Sequence, residues 1–395
     1  NPNVNTAGNV SIGTNGSVTK GTGTWTFDGT TATTFEDISA SNSLGIVVIN
    51  KTNATPANNK VTFTATSSND MRVDTLTISA NNTLDLNTGT GNILYLANAG
   101  ATATVLTVNG VFTPGDSTVY YEATNSAGNI NVVTIAYNGL SFSPASAETY
   151  DLTGNFIDAN ALTGNLTVDT NATLDVRPST TDYSITCVNM IINASGILDA
   201  AGAASIITVS SNWTNSGTFN AGSSTAIFNK SSTTQTLNSG GTGAGKAFNN
   251  LTHSGAGTLQ LSTNNLDIDG NFTNSAGIFD ANDLNINVAG NWNSTGGTFS
   301  ADVSPGATTQ TVTFDGNSTA NQTVTTAGQS FYRLTINNTQ VTYDDVIISG
   351  NLDVNSTLTI TDGNLDLITA ATDPNVNTAG NVSIGTNGSV TKGTG

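Results

Sequence analysis

The chain holds a single cysteine, Cys187, among its 395 residues, which excludes an internal disulfide framework. No CxxC and no Cys/His cluster offers zinc a site. The one histidine, His253, has neither a second histidine nor a reactive cysteine beside it, so a nucleophile and base pair cannot be assembled. Charged residues make up 9% of the chain, where about a quarter is usual. Only three glutamates occur, Glu36, Glu122 and Glu148, beside nine Lys or Arg. Helix formers are therefore scarce, and no segment carries apolar residues at helical spacing over three turns, so we expect almost no helix. No apolar run approaches the roughly 18 residues of a membrane-spanning helix. Neither an initiator methionine nor a signal peptide is present, and any export signal is expected to lie outside these residues. The net charge of −18, with no basic cluster to offset it, repels phosphate backbones and anionic membranes. Nucleic acid and membrane are thereby set aside as partners.

What fills the chain is Thr, Val and Ile, which suit a pleated surface, and Asn, Ser, Asp and 41 Gly, which suit corners. A hydrophobic fraction of 36% is too high for a disordered polymer of this length. Stability must then come from packing and hydrogen bonds.

One stretch occurs twice. Pro2 to Gly23 reads PNVNTAGNVSIGTNGSVTKGTG, and Pro374 to Gly395 repeats it letter for letter, displaced by 372 positions. Identical ends are what a section of a tandem array shows, so 2–373 reads as one repeat and 374–395 as the start of the next. An engineered duplication, or a domain flanked by two copies of a short motif, are the other readings. Shorter repeats nest inside. Gly-Asn-aromatic corners recur as GNF at Gly270 and GNW at Gly290, an offset of 20, with SNW at Ser211 and GNL at Gly350 as weaker forms. FNNLTHSG from Phe248 matches FYRLTINN from Phe331, while TFDG at Thr26 and Thr313 and INKT/INNT at Ile49 and Ile336 share an offset of 287. Nested periods signal a quasi-one-dimensional fold.

Short apolar alternations, such as Val10 and Ile12 or Leu84 and Leu86, are broken by Gly/Asn corners every six to ten residues. Strands this short, few Asn-Gly hairpin steps and a period far below the roughly 100 residues of an immunoglobulin-like unit favour a solenoid over sandwiches. The expectation is an all-β parallel β-helix, a β-solenoid of about 20 residues per coil with three short strands, running as one continuous segment over 1–395. Corner Asn side chains should hydrogen-bond from coil to coil. At that coil length a 372-residue repeat makes about 18 coils and advances roughly 85 to 90 Å.

SNWTNSGTFNAGSSTAIF, FNNLTHSGAGTLQL and LDIDGNFTNSAGIFDANDLNINVAGNWNSTGGTF, within Ser211 to Leu367, resemble the repeats of giant exported bacterial surface proteins of the parallel β-helix type, the filamentous haemagglutinin-like adhesins. The resemblance implies a right-handed helix, export, and a role as stalk, fibre or adhesin. The family's secretion domain and usual receptor-binding regions have no counterpart in these residues.

Candidate chemistry is sparse. His253 falls where the matching module has Ile336, and Cys187 lies in YSITCVNMII, so both read as core. Glu148 and Asp169, or Asp344 and Asp366, stand about one coil apart, which would allow a carboxylate row. The scattered Arg72, Arg177 and Arg333 give no grip on a polyuronate, however, and a neutral-glycan hydrolase would need its two carboxylates converging. The metal candidate is LDIDGN: Asp267 and Asp269 point to one side of a strand and Asn271 follows at the corner, three oxygen ligands that could begin a calcium site. Position twelve is Ile278 rather than Glu, and outward Asp residues also keep an edge soluble. Calcium is the only cofactor the sequence offers. Trp213, Phe272 and Trp292 could stack on sugars if exposed, but as strand starters they are expected in the core. The sequence thus points to an extracellular or cell-surface structural protein, not an enzyme. Its partner is its own next repeat, covalent or end to end; a wall that binds glycans or surfaces is the alternative function.

Overall fold

The computed structural model describes residues 2–39, 42–64, 69–87, 91–202, 204–301, 309–316, 319–368 and 374–392. Residues 369–373, where the first repeat would end, and 393–395, the last three of the second copy, lie outside the described residues.

The protein is an all-β parallel β-solenoid with about 15 turns, almost without helix. Among the described residues the helical elements are two 3-10 turns, Pro56–Asn58 and Asp158–Asn160, and no helix is long and apolar enough to cross a membrane. Two compact units are distinguished, Asn1–Asp199 and Ala200–Gly395.

In the first unit a typical turn runs through Ile46–Ile49, Lys60–Phe63 and Asp70–Val73, three short strands as the corner spacing predicts. Each strand pairs in parallel with its counterpart one turn on, so that Val47 lies opposite Leu76, Val61 opposite Leu84 and Met71 opposite Leu94. In the second unit Ala226, Leu251, Phe272 and Trp292 form one column across four turns, and Ile286, Val312 and Leu334 another. Strand after strand alternates outward and buried residues, because successive side chains leave a pleated strand on opposite faces. Parallel stacking in register then places apolar on apolar, and Leu251, Phe272, Val312 and Leu334 are fully buried.

The expected coil length is corrected upward, to ~24 residues per turn. The shorter value is the step from Phe272 to Trp292, at the GNF and GNW corners from which the period was taken. Some other turns carry longer corners: Val47 pairs with Leu76 at an offset of 29, and Trp292 with Val324 at an offset of 32. Insertions at a solenoid corner leave the strand columns intact, so the columns stay regular while the sequence period drifts.

Those tight corners have a steric cause. A Cβ on Gly290 would come within 2.3 Å of the Gly270 carbonyl oxygen, directly beneath it. Turns stack so closely there that neither glycine position has room for a side chain.

Candidate functional site

The corner asparagines form the ladder that the sequence suggests. Asn250 Oδ1 accepts from the Asn271 N–H at 3.0 Å, Asn271 Oδ1 from Asn291 N–H at 2.9 Å, and Asn291 Oδ1 from Thr323 N–H at 2.8 Å. Asn265 and Asn285 build a parallel rail, accepting from Asn285 and Thr311 N–H at 2.9 Å each. Corner backbone donors that a strand ladder cannot reach are satisfied in this way.

Asn271 is therefore a rung, and its Oδ1 is already engaged in the ladder. Asp267, between buried Leu266 and Ile268, faces outward, and Asp269 stands beside it. The carboxyl of Asp267 is pushed up to about 6, first by burial and then by the charge of Asp269. Asp315, which the sequence reading passed over, belongs to the same group: burial and then Asp267 raise it to about 6 as well. It sits two turns along the column Leu266, Ile286, Val312. Beside Asp269 an open polar cleft of about 410 Å³ is lined by Asn249, Asn271, Asn291, Asn321 and Gln322. Among the described residues no group of three or more His, Cys, Asp or Glu is arranged to hold a metal ion.

The repeated TFDG motif explains why Asp315 is poorly compensated. In the first unit Asp28 of that motif neighbours Lys51 of INKT, whose Nζ donates to the Asp28 carbonyl at 2.6 Å. In the second unit the matching INNT motif places Asn338 where Lys51 stood. The cation is lost and the carboxyl remains.

The proposed carboxylate rows are rearranged. Strand register sets Asp345 opposite Asn364 and Ile347 opposite Asp366, so Asp344 and Asp366 do not align. Glu148 is committed to the Asn125 and Thr149 N–H groups, and Asp169 to Ser141 and Asn193. A true column forms instead from Asp151, Asp175 and Asp199, each opposite the next. Asp175 is raised by burial and by both neighbours, with the Arg177 N–H opposing. Its signal was legible as YDL, LDV and LDA at intervals of 24, the true turn length, and a period of 20 concealed it.

His253 is fully buried, as its match to Ile336 suggests. Its Nδ1 lies 2.9 Å from Asn274 Oδ1, and burial lowers its pKa, so the ring is held neutral. Asn274 continues inward to Ser294 Oγ and the Thr298 carbonyl, and Ser294 to Gln329, an internal polar spine that composition alone does not announce. Cys187 is also buried, its thiol pushed up to about 12. Trp213, Phe272 and Trp292 lie in the core, so no aromatic stripe is offered by these three. Phe272 and Trp292 rings are 4.3 Å apart between centroids.

The duplicated segment joins the stack as parallel-paired strands in both places. The first copy supplies Val4–Thr6 and Val10–Ile12, the second Val376–Thr378 and Val382–Thr391. Comparison with protein-family models, with curated proteins and with solved structures finds no match to this chain.

Proposed function

We propose that the protein is structural: a section of an extracellular filament or stalk built from tandemly repeated β-solenoid segments, whose function is mechanical length. The observation that carries this reading is that one sequence, Pro2 to Gly23 and again Pro374 to Gly395, supplies strands that pair in parallel with the stack at both of its positions. A sequence that joins the parallel ladder in two settings is a unit of a repeating stack rather than a flanking tag. The wall supports the same reading, since its corner asparagines and the carboxylates of Glu148 and Asp169 are spent on binding a neighbouring turn. The resemblance of Ser211 to Leu367 to filamentous haemagglutinin-like repeats supports export to a bacterial surface.

Electron microscopy of the native material tests the proposal. About 15 turns per repeat, each adding about 4.8 Å, give an axial period of roughly 70 to 75 Å, shorter than the roughly 85 to 90 Å expected from the shorter coil. Thin fibres with that period support the filament; discrete particles sink it. Immunogold labelling of intact cells tests the location, and signal appearing only after permeabilisation would refute export.

A further inference from the structure

The cleft beside Asp269 has its cause in the register. Phe272, Trp292 and Val324 stand in one column, and two residues before each come Gly270, Gly290 and Gln322. On the adjoining wall Ile268, Val288 and Phe314 are likewise in line. Val288 and Gly290 are two residues apart, whereas Phe314 and Gln322 are eight apart, so this corner carries an insertion that the two before it lack. Gly270 and Gly290 from the tight corners, with Thr319 and Ala320 from the insertion, line the resulting space of about 410 Å³.

Its polar groups fall into two sets. Asn249, Asn271 and Asn291 each commit Oδ1, to Asn250 Nδ2 at 2.8 Å and to the Asn291 and Thr323 N–H groups at 2.9 and 2.8 Å. Those bonds fix the amides and leave the three Nδ2 donors without a partner among the described residues. Asn321 and Gln322 are set the other way round. Gln322 Nε2 donates to the Val288 and Gly290 carbonyls at 2.8 Å each, and Asn321 Nδ2 to Asp345 at 2.9 Å. Gln322 is 1% exposed, and its Oε1, like Asn321 Oδ1, is buried and accepts from no group among the described residues. A buried acceptor left unpaired is costly, and a donor on a ligand relieves it. Asp269 adds a carboxylate to the same lining.

Fixed donors beside fixed acceptors narrow the ligand. Among the described residues no Lys, Arg or His lines the cleft, and Asp269 repels an anion. Three amide NH₂ groups do not suit a hard cation, which takes oxygen ligands. No apolar side chain larger than Ala320 lines it, so an apolar ligand gains little by burial. A hydroxyl both donates and accepts, and a sugar carries several at fixed spacing. We propose that the cleft is a binding site for a neutral glycan, whose hydroxyls donate to Asp269, Asn321 and Gln322 and accept from Asn249, Asn271 and Asn291. Its volume falls within the roughly 300–1,000 Å³ of small-molecule sites. Such a site is a function beside mechanical length, and the filament reading stands or falls without it.

The full chain applied to an array of neutral hexose and N-acetylhexosamine oligosaccharides, with uronate oligosaccharides beside them, tests the site; the best neutral ligand is then titrated calorimetrically. Asn271→Asp combined with Asn291→Asp keeps the Oδ1 acceptor of each rung and removes both donors, and should weaken binding about tenfold. Because that pair alters two rungs, Asp269→Ala and Ala320→Trp are measured beside it. Both positions are exposed; the first change removes an acceptor and the second fills the cleft, and each should weaken binding with the denaturant midpoint unchanged. Binding to no neutral glycan, binding confined to uronates, or binding of calcium chloride that Asp269→Ala abolishes overturns the proposal. So does a neutral glycan bound equally by the parent, Asp269→Ala and Ala320→Trp, since it then sits elsewhere on the wall.

Discussion

Asn271 shows how little freedom a wall residue has in this fold. Its side chain accepts from the next turn and its own N–H is held by the turn before, so Asn271→Ala breaks the rail and leaves the Asn291 donor unpaired. The loss expected is about 0.5–1.5 kcal/mol, read from the denaturant midpoint; an unchanged midpoint would mean that water replaces the rung without cost. Asp267 and Asp315 behave differently, because burial and then the charge of a neighbouring aspartate, Asp269 for the first and Asp267 for the second, push their carboxyls up. With folded pKa values pushed up to about 6 from an ordinary 3.8, they contribute stability that is fully present below pH 3.8 and lost as pH rises through 6. His253 acts in the opposite sense: its folded pKa is depressed, so its contribution is lost as pH falls through its ordinary value of 6.5. The double variant D267N/D315N removes the first contribution and keeps the second. Thermal melts between pH 4 and 8 should therefore show the variant losing more stability on acidification than the parent, and parallel profiles would refute the assignment.

At the scale of the element, each strand is too short to hold itself and depends on the column it joins. Trp292 lies among Phe272, Phe299 and Phe331, with Phe272 at 4.3 Å between ring centroids, and is buried to 1% exposure. Trp292→Ala should cost about 3–5 kcal/mol, seen in chemical denaturation. A cost under about 1 kcal/mol would mean that the column collapses to fill the gap, which close packing resists. Gly290→Ala tests the corner rather than the column. Its methyl would meet the Gly270 carbonyl at 2.3 Å, so either the turn separates or the chain fails to fold. Much of this was legible beforehand: strand length, alternation, the burial of Trp213, Phe272, Trp292 and His253, and the Asn ladder all follow from residue type and spacing. Coil length was not, because it was taken from the 20-residue step of Phe272 to Trp292, whereas other turns run to 29 and 32.

At the scale of the whole molecule, register repeated from turn to turn carries the stack. Val312 is fully buried between Ile286 one turn before and Leu334 one turn after, and a lysine there would bury a charge with no partner. Val312→Lys should therefore unfold at a clearly lower denaturant concentration than the parent, and an unchanged midpoint would show that the columns do not hold the stack together.

The sequence by itself determined the class of fold, since short alternating strands, glycine and asparagine corners and the want of helix formers leave little but a stack of parallel turns. It also determined that one stretch would occur twice, 372 positions apart. Which residues stand above one another was decided only by the tertiary structure, because corner insertions of several residues change the sequence spacing without moving the strands. For that reason Asp344 and Asp366 drift apart, Asp151, Asp175 and Asp199 fall into line, and Asp315 joins Asp267 and Asp269.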